Sequence, residues 1–217
     1  MSTPLMFRAT MDGSDHAPAS GVTGRHGGGR EPAGVALWAF MAVATSLFSL
    51  FIAAYVMRME GTDWSVIAMP WQLWLSTALL IAGSASLQLA SVFGHRRRWN
   101  GAHILLLTGG ICAFAFLGVQ LWAWQALLAS RVVPVGNPAS SFFYLLTAMH
   151  GLHVAGGLVG WGVTVSGFHR QVGPDRIARR MRLCARYWHF LLAVWLVLFA
   201  TLGWLTPEVV RFICGTD

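Results

Sequence analysis

Five blocks of this chain contain no aspartate, glutamate, lysine or arginine, and each is long enough to cross a bilayer. They run over about 34–57, 70–92, 101–129, 141–168 and 187–205. At ~1.5 Å of rise per helical residue, about 20 residues span the ~30 Å hydrocarbon layer. Backbone polar groups in that layer must be satisfied internally, so each block is expected to be a helix. The fold class that follows is an all-α integral membrane protein built as a five-helix bundle. The whole sequence supports that class, with 56% hydrophobic residues, 11% charged residues and eleven tryptophans. Its three cysteines, Cys112, Cys184 and Cys214, lack the spacing of a disulfide framework or a zinc site.

The fourth block, SFFYLLTAMHGLHVAGGLVGWGVTVSGF, is the most unusual. Thr147, Gly151 and Ala155 recur at every fourth position, as do Gly156, Gly160 and Thr164. Small residues at that spacing let another backbone approach closely, so this helix is expected to lie at the centre of the bundle. Leucine at Gly151 or Gly156 should then push neighbouring helices apart. Ala78, Ala82, Ser86 and Ala90 form a similar stripe in the second block. His150 and His153 place two imidazoles in the fourth helix that need partners away from water.

The remaining segments divide the chain. Residues 1–32 form a polar, Gly- and Pro-containing tail, without the layout of a signal peptide, and are expected to be disordered. Residues 33–206 make the membrane domain and 207–217 a short tail. Twelve arginines fall on one side: Arg8, Arg25 and Arg30 in the tail, Arg96 to Arg98 after the second block, and six between Arg170 and Arg186. Only Arg58, Arg131 and Arg211 fall on the other. The positive-inside rule then places the amino terminus in the cytoplasm and the carboxyl terminus outside. The net charge of +7 is thereby explained by orientation in the membrane, and no nucleic-acid partner is implied.

Several chemistries are disfavoured. All eight carboxylates lie outside the blocks, which removes the ionisable groups that pumps and cation-coupled transporters use. No pair of proline-broken half-helices suggests a transporter site. His150 lies roughly 13 Å along its helix from the outer end. His103 and His189 begin their own helices at the opposite end, too far in depth to share a haem with it. Structural or lipid-facing roles are therefore expected for His150 and His153, and a small transporter or a membrane cytochrome is the alternative class.

FFYLLTAMHGLHVAGGL resembles the signature helix of subunit III of haem-copper respiratory oxidases. LFIAAYV, MPWQLWLSTALLIAGSASLQLA, FLGVQLWAWQAL and YWHFLLAVWLVLF resemble other segments of that family in the same order. The resemblance is to the five-helix form and covers nearly everything from Gly34 to Leu205. It implies a non-catalytic subunit of a bacterial terminal oxidase, multi-pass in the inner membrane, acting in aerobic electron transport. The alternatives within the resemblance are an accessory subunit of nitric oxide reductase or of a quinol oxidase, with cytochrome c the preferred donor.

The resemblance also implies residue roles. His150, Gly151, His153, Gly156, Gly157 and Gly160 in the fourth span would shape the bundle, its lipid cleft or a subunit interface. So would Gln120 and Trp124 in the third, and Tyr187, Trp188, His189 and Trp195 in the fifth. None would be catalytic or ligate a metal, and this chain would bind no cofactor beyond phospholipid. Haem and copper would reside in the partner, subunit I, with subunit II alongside. The expected contributions are assembly, lipid retention and proton supply, the last drawing on His95, His103, His169 and His189 at the arginine-rich side. In two places the family commonly keeps a buried carboxylate where this chain has Ala44 and Leu192, so whatever those acids contribute does not carry over.

Overall fold

The computed structural model describes residues 32–59, 61, 64, 70–130, 132, 137–170 and 173–205. The two tails, and Arg131 and Arg211 with them, lie outside the described residues. Five helices follow one another: α1 (Pro32–Arg58), α2 (Gln72–His95), α3 (Trp99–Ala129), α4 (Pro138–His169) and α5 (Pro174–Trp204). All five are long and apolar enough to cross a membrane.

Local chemistry sets the ends. Asn137 caps α4, its side-chain oxygen accepting the Ala139 N–H at 3.0 Å, with Pro138 at the first helical position. The turn from α2 to α3 is three residues long. It closes by placing Arg97 in the left-handed region at φ 55°, while the Arg98 guanidinium lies 5.4 Å from the centre of the Phe93 ring. The largest departure from expectation is α5, which starts at Pro174 instead of near Tyr187. Ile177, Met181, Cys184, Ala185 and Trp188 are buried at helical spacing, whereas Arg176, Arg179, Arg182 and Arg186 are exposed. An apolar stripe continuous with the membrane segment carries the helix through its arginine-rich stretch. Arginine can join such a helix because its long stem lies along apolar surface while its head stays at the polar boundary.

α2 and α3 form the most extensive pair in the bundle, and α5 packs against α2, α4 and α1. α4 packs on α5, α3 and α1, so the centre is shared between α4 and α5. The tight contacts are not on the expected stripes. Gly151 has only the Leu117 methyl at 3.9 Å from where a Cβ would stand, and Gly156 and Gly160 face open space. Among the glycines that admit a neighbour are Gly83 and Gly109 between α2 and α3, Gly110 beneath Trp161, and Gly157 beneath Tyr187, Trp188 and Leu191. Likewise Ala78 and Ala82 of the second stripe are exposed. Two small residues four apart recur on several faces of these Gly- and Ala-rich helices, and spacing alone does not select which face meets another helix.

Placing a Cβ at Gly110 would drive it into the Trp161 ring. Gly110→Ala should therefore destabilise the bundle by about 1–3 kcal/mol, as overpacking does. Gly156→Ala should be neutral or slightly stabilising. Thermal unfolding in detergent separates the two; equal behaviour would show that α4 does not sit on α3 as described.

Candidate functional site

The twelve residues singled out by sequence fall into three places. The first lies inside the bundle, between α3, α4 and α5. His150 is fully buried, and its ring lies 5.1 Å from that of Trp195, 5.8 Å from Phe116 and 6.4 Å from Phe48. Among the described residues neither of its nitrogens has a hydrogen-bond partner, nor does the amide of Gln120, buried one turn beyond Phe116 on α3. The surrounding polar groups are already engaged. Trp124 donates to the Thr147 hydroxyl at 3.1 Å, and that hydroxyl donates to the Phe143 carbonyl at 2.7 Å. Trp195 donates to the Thr77 hydroxyl at 2.9 Å, and that hydroxyl to the Leu73 carbonyl at 2.8 Å. The cage is thus aromatic on three sides and, among the described residues, offers the imidazole no acceptor.

His153 is better satisfied. Its Nδ1 donates to the Met149 carbonyl at 2.7 Å, one turn back along α4, and the Tyr187 hydroxyl donates to the His153 carbonyl at 3.0 Å. Its ring lies against Phe48 and Phe40, at 5.3 and 5.7 Å. Ala44 is buried on the same face of α1 as Phe48, so the position where the resemblance implies a carboxylate lies on the side of α1 turned toward these imidazoles.

The second place is an open, apolar cleft of about 420 Å³ between α1, α4 and α5. Gly156, Gly157 and Gly160 supply its α4 wall, Tyr187 its α5 wall, and Leu37 and Phe40 its α1 wall. At Gly156 and Gly160 the α4 wall is bare backbone, and Val163 and Thr164 continue it toward the arginine-rich end. Arg180 is the one charged residue in the lining, standing at the arginine-rich end and reaching the Val163 carbonyl at 3.4 Å. Sequence reasoning missed Arg180 and Cys184 because it began the fifth helix at Tyr187. The spacing of Ile177, Met181, Cys184 and Trp188 carried the signal.

The third place is the seam between α5 and α2. Trp188 is buried under α4 against Gly157, and its neighbour His189 turns outward to α2. The Gln88 Oε1 can only accept, so it takes the His189 Nε2 proton at 3.2 Å. The Ser84 hydroxyl then donates to Nδ1 at 2.6 Å. His189 is thereby committed to a side-chain network, and His103 lies with its ring 5.0 Å from Phe168. His95 is exposed at the arginine-rich end, and the side chain of His169 lies outside the described residues. Among the described residues, no group of three His, Cys, Asp or Glu side chains converges.

Five membrane-crossing helices with an apolar interior and a cleft open to their surroundings define an integral membrane protein. The proteins it is similar to are third subunits of respiratory oxidases. Cytochrome bo(3) ubiquinol oxidase subunit 3 of Pseudomonas aeruginosa is 26% identical over 167 residues, which is 75% of this chain and 79% of that one. Probable quinol oxidase subunit 3 of Staphylococcus haemolyticus is 26% identical, covering 75% and 83%. Cytochrome c oxidase subunit 3 of Alkalihalophilus pseudofirmus is 25% identical, covering 75% and 81%. No family model matches the chain. The relatives bear out the resemblance to subunit III of the haem-copper oxidases.

The unpartnered imidazole yields a prediction. A buried polar group without a hydrogen bond costs about 1–3 kcal/mol, so His150→Phe, which keeps a flat ring in an aromatic cage, should leave the bundle as stable or more stable by about 1 kcal/mol. A fall in unfolding free energy of that size or more would reveal a partner for His150 that the described residues do not supply.

Proposed function

We propose that this chain is a non-catalytic integral subunit of a bacterial terminal oxidase, lying beside the haem-copper subunit I and with subunit II in the same complex. The observation that carries this reading is the match of three quarters of the chain to oxidase third subunits. Haem and copper belong to the partner; this chain contributes packing, bound lipid and a basic surface. Relatives of both donor classes match at nearly the same identity, so cytochrome c and quinol stand equal as the donor to the complex.

The cleft supports the lipid part of the reading. Its walls are almost wholly apolar, and a guanidinium stands at one end. That is the complement of an amphiphile whose acyl chain lies along Gly156 and Gly160 and whose phosphate meets Arg180. Bulk in the cleft should displace such a lipid. Gly160→Trp, on a wall with nothing within 4 Å of the added atom, should fold normally and lower the phospholipid retained by the purified complex, read by native mass spectrometry. Unchanged lipid content would remove the cleft from this account.

Orientation follows the arginines. With α5 beginning at Pro174, its arginine-rich first half, the α2–α3 turn and the start of α1 all lie at one end of the bundle, which we place in the cytoplasm. A reporter active only in the cytoplasm, fused after Asp217, should be silent; activity would reverse the assignment. There the basic surface with exposed His95 supplies protons to the partner and holds anionic headgroups. If support of that kind is the role, a complex stripped of this subunit should begin oxygen reduction normally and then lose activity faster over many turnovers, more steeply at alkaline pH. Immediate and complete loss in an otherwise intact complex would place the chain in the chemistry itself.

A further inference from the structure

α5 is enclosed by α4 on one side and flanked by α1 and α2 on the others, but α1 and α2 do not close over it. Arg182, Arg186, His189, Ala193 and Leu196 are exposed in one continuous helical stripe. The stripe runs between the two flanking helices: Arg186 lies over the Trp38 ring of α1, at 5.8 Å, while His189 is bonded to Ser84 and Gln88 of α2. It therefore floors a trough, on the side of α1 away from the lipid-shaped cleft. On the α1 wall, Ala42, Thr45 and Ser49 share the face of Trp38 and are all exposed. On the α2 wall, Ala85 and Ile81 share the exposed face of Gln88.

The polarity of this trough decides what fits it. Gln88 is about 10 Å inside the arginine-rich end of α2 and Ser49 about 13 Å from the opposite end of α1, by helical rise, so both stand within hydrocarbon depth. The Gln88 amide spends its oxygen on His189, and its N–H₂ has no partner among the described residues; the Ser49 hydroxyl has none either. At the mouth, Arg182 and Arg186 have no carboxylate partner among the described residues. Acyl chains offer no acceptors at that depth, and leaving donors unmet there is costly. A helix that brings acceptors, on small-residue walls that let it approach, meets the donors.

We propose that the trough over α5 is the seat of a transmembrane helix from the haem-copper subunit, with hydrogen-bond acceptors opposite Gln88 and Ser49 and an acidic residue at the end facing Arg182 and Arg186. The seat rests on the reading of the chain as an oxidase subunit. It places the partner helix between α1 and α2 and leaves the cleft between α1 and α4 free for lipid.

A photoreactive benzoylphenylalanine placed at Ala193, in the full complex in native membranes, tests the seat, with the same group at exposed Leu152 of α4 as the second site. The expected result is an adduct from position 193 carrying the haem-bearing subunit, and none from position 152. Ala193→Trp should also reduce recovery of that subunit with the affinity-tagged chain roughly tenfold, as blocking an interface centre does, with the unfolding temperature of the isolated chain unchanged. An adduct of twice this chain's mass, or adducts with lipid alone, would overturn the seat. So would a haem-bearing partner that co-purifies but crosslinks from position 152, and that result would leave the oxidase reading standing. If no haem-bearing subunit co-purifies with the unmodified chain, the oxidase reading itself fails.

Discussion

Three indole N–H bonds tie the bundle together across helix pairs. Trp195 of α5 donates to Thr77 of α2, Trp161 of α4 to the Leu106 carbonyl of α3, and Trp124 of α3 to Thr147 of α4. Inside a membrane the helices gain nothing from leaving lipid for one another by hydrophobicity alone, so packing and a few directed bonds must select the arrangement. Each indole supplies both: a large flat surface and one donor that has to find an acceptor. Two of the acceptors are threonine hydroxyls that donate in turn to their own helix backbones. Such a hydroxyl is held in one rotamer and offers its lone pair in a fixed direction. The Leu106 carbonyl takes the Trp161 proton only because Gly110, one turn on, leaves room for the ring.

Those struts explain why the polar residues of the interior divide as they do. Thr77 and Thr147 are engaged at both ends, whereas His150 and Gln120 have no partner among the described residues. On α1, Ala44 stands a turn from Phe48, which touches both imidazoles. Alanine brings no polar group to that face, and His150 stands among rings. A neutral imidazole is the form that such an apolar cage tolerates, since a bare charge would cost far more than an unmet hydrogen bond.

Helix number and placement could be read from the sequence because the constraint behind them is crude: a run of some twenty uncharged residues has no other stable state in hydrocarbon. The start of α5 was not legible in that way. Hydropathy sees the arginines from Arg176 to Arg186 as a loop, and only the periodic burial of Ile177, Met181 and Cys184 shows that they decorate a helix. Nor was the choice of close-packed glycines legible. Gly156 and Gly157 are neighbours in sequence, yet one faces the open cleft and the other lies under three α5 side chains. A rotation of about 100° per residue separates those fates, and it is set by which way Trp161 and Tyr187 point. The pairing of His189 with Ser84 and Gln88, more than a hundred positions away in sequence, depends on the same packing.

α1 is the helix least held by the others: among the described residues its main contacts are with α4 and α5, and fewer than one in five residues of its most apolar stretch are buried. Met41 and Ala44 are buried in its first half, and in its second Phe48 packs with Leu146 and Leu198, and Tyr55 with Met59. Toward Pro32 it stands off from α4 and leaves the cleft, with Trp38 over Arg186 as its tether on the other side. A helix this exposed gains little from its own bundle. On the proposed reading, lipid in the cleft and a partner helix in the trough hold it on its two flanks. The same two flanks meet at α5, through Arg180 and Tyr187 on the cleft side and Arg186 and His189 on the trough side. With both flanks filled as proposed, occupation of one would bear on the other through that single helix, and loss of lipid from the cleft would loosen the wall against which the partner helix rests.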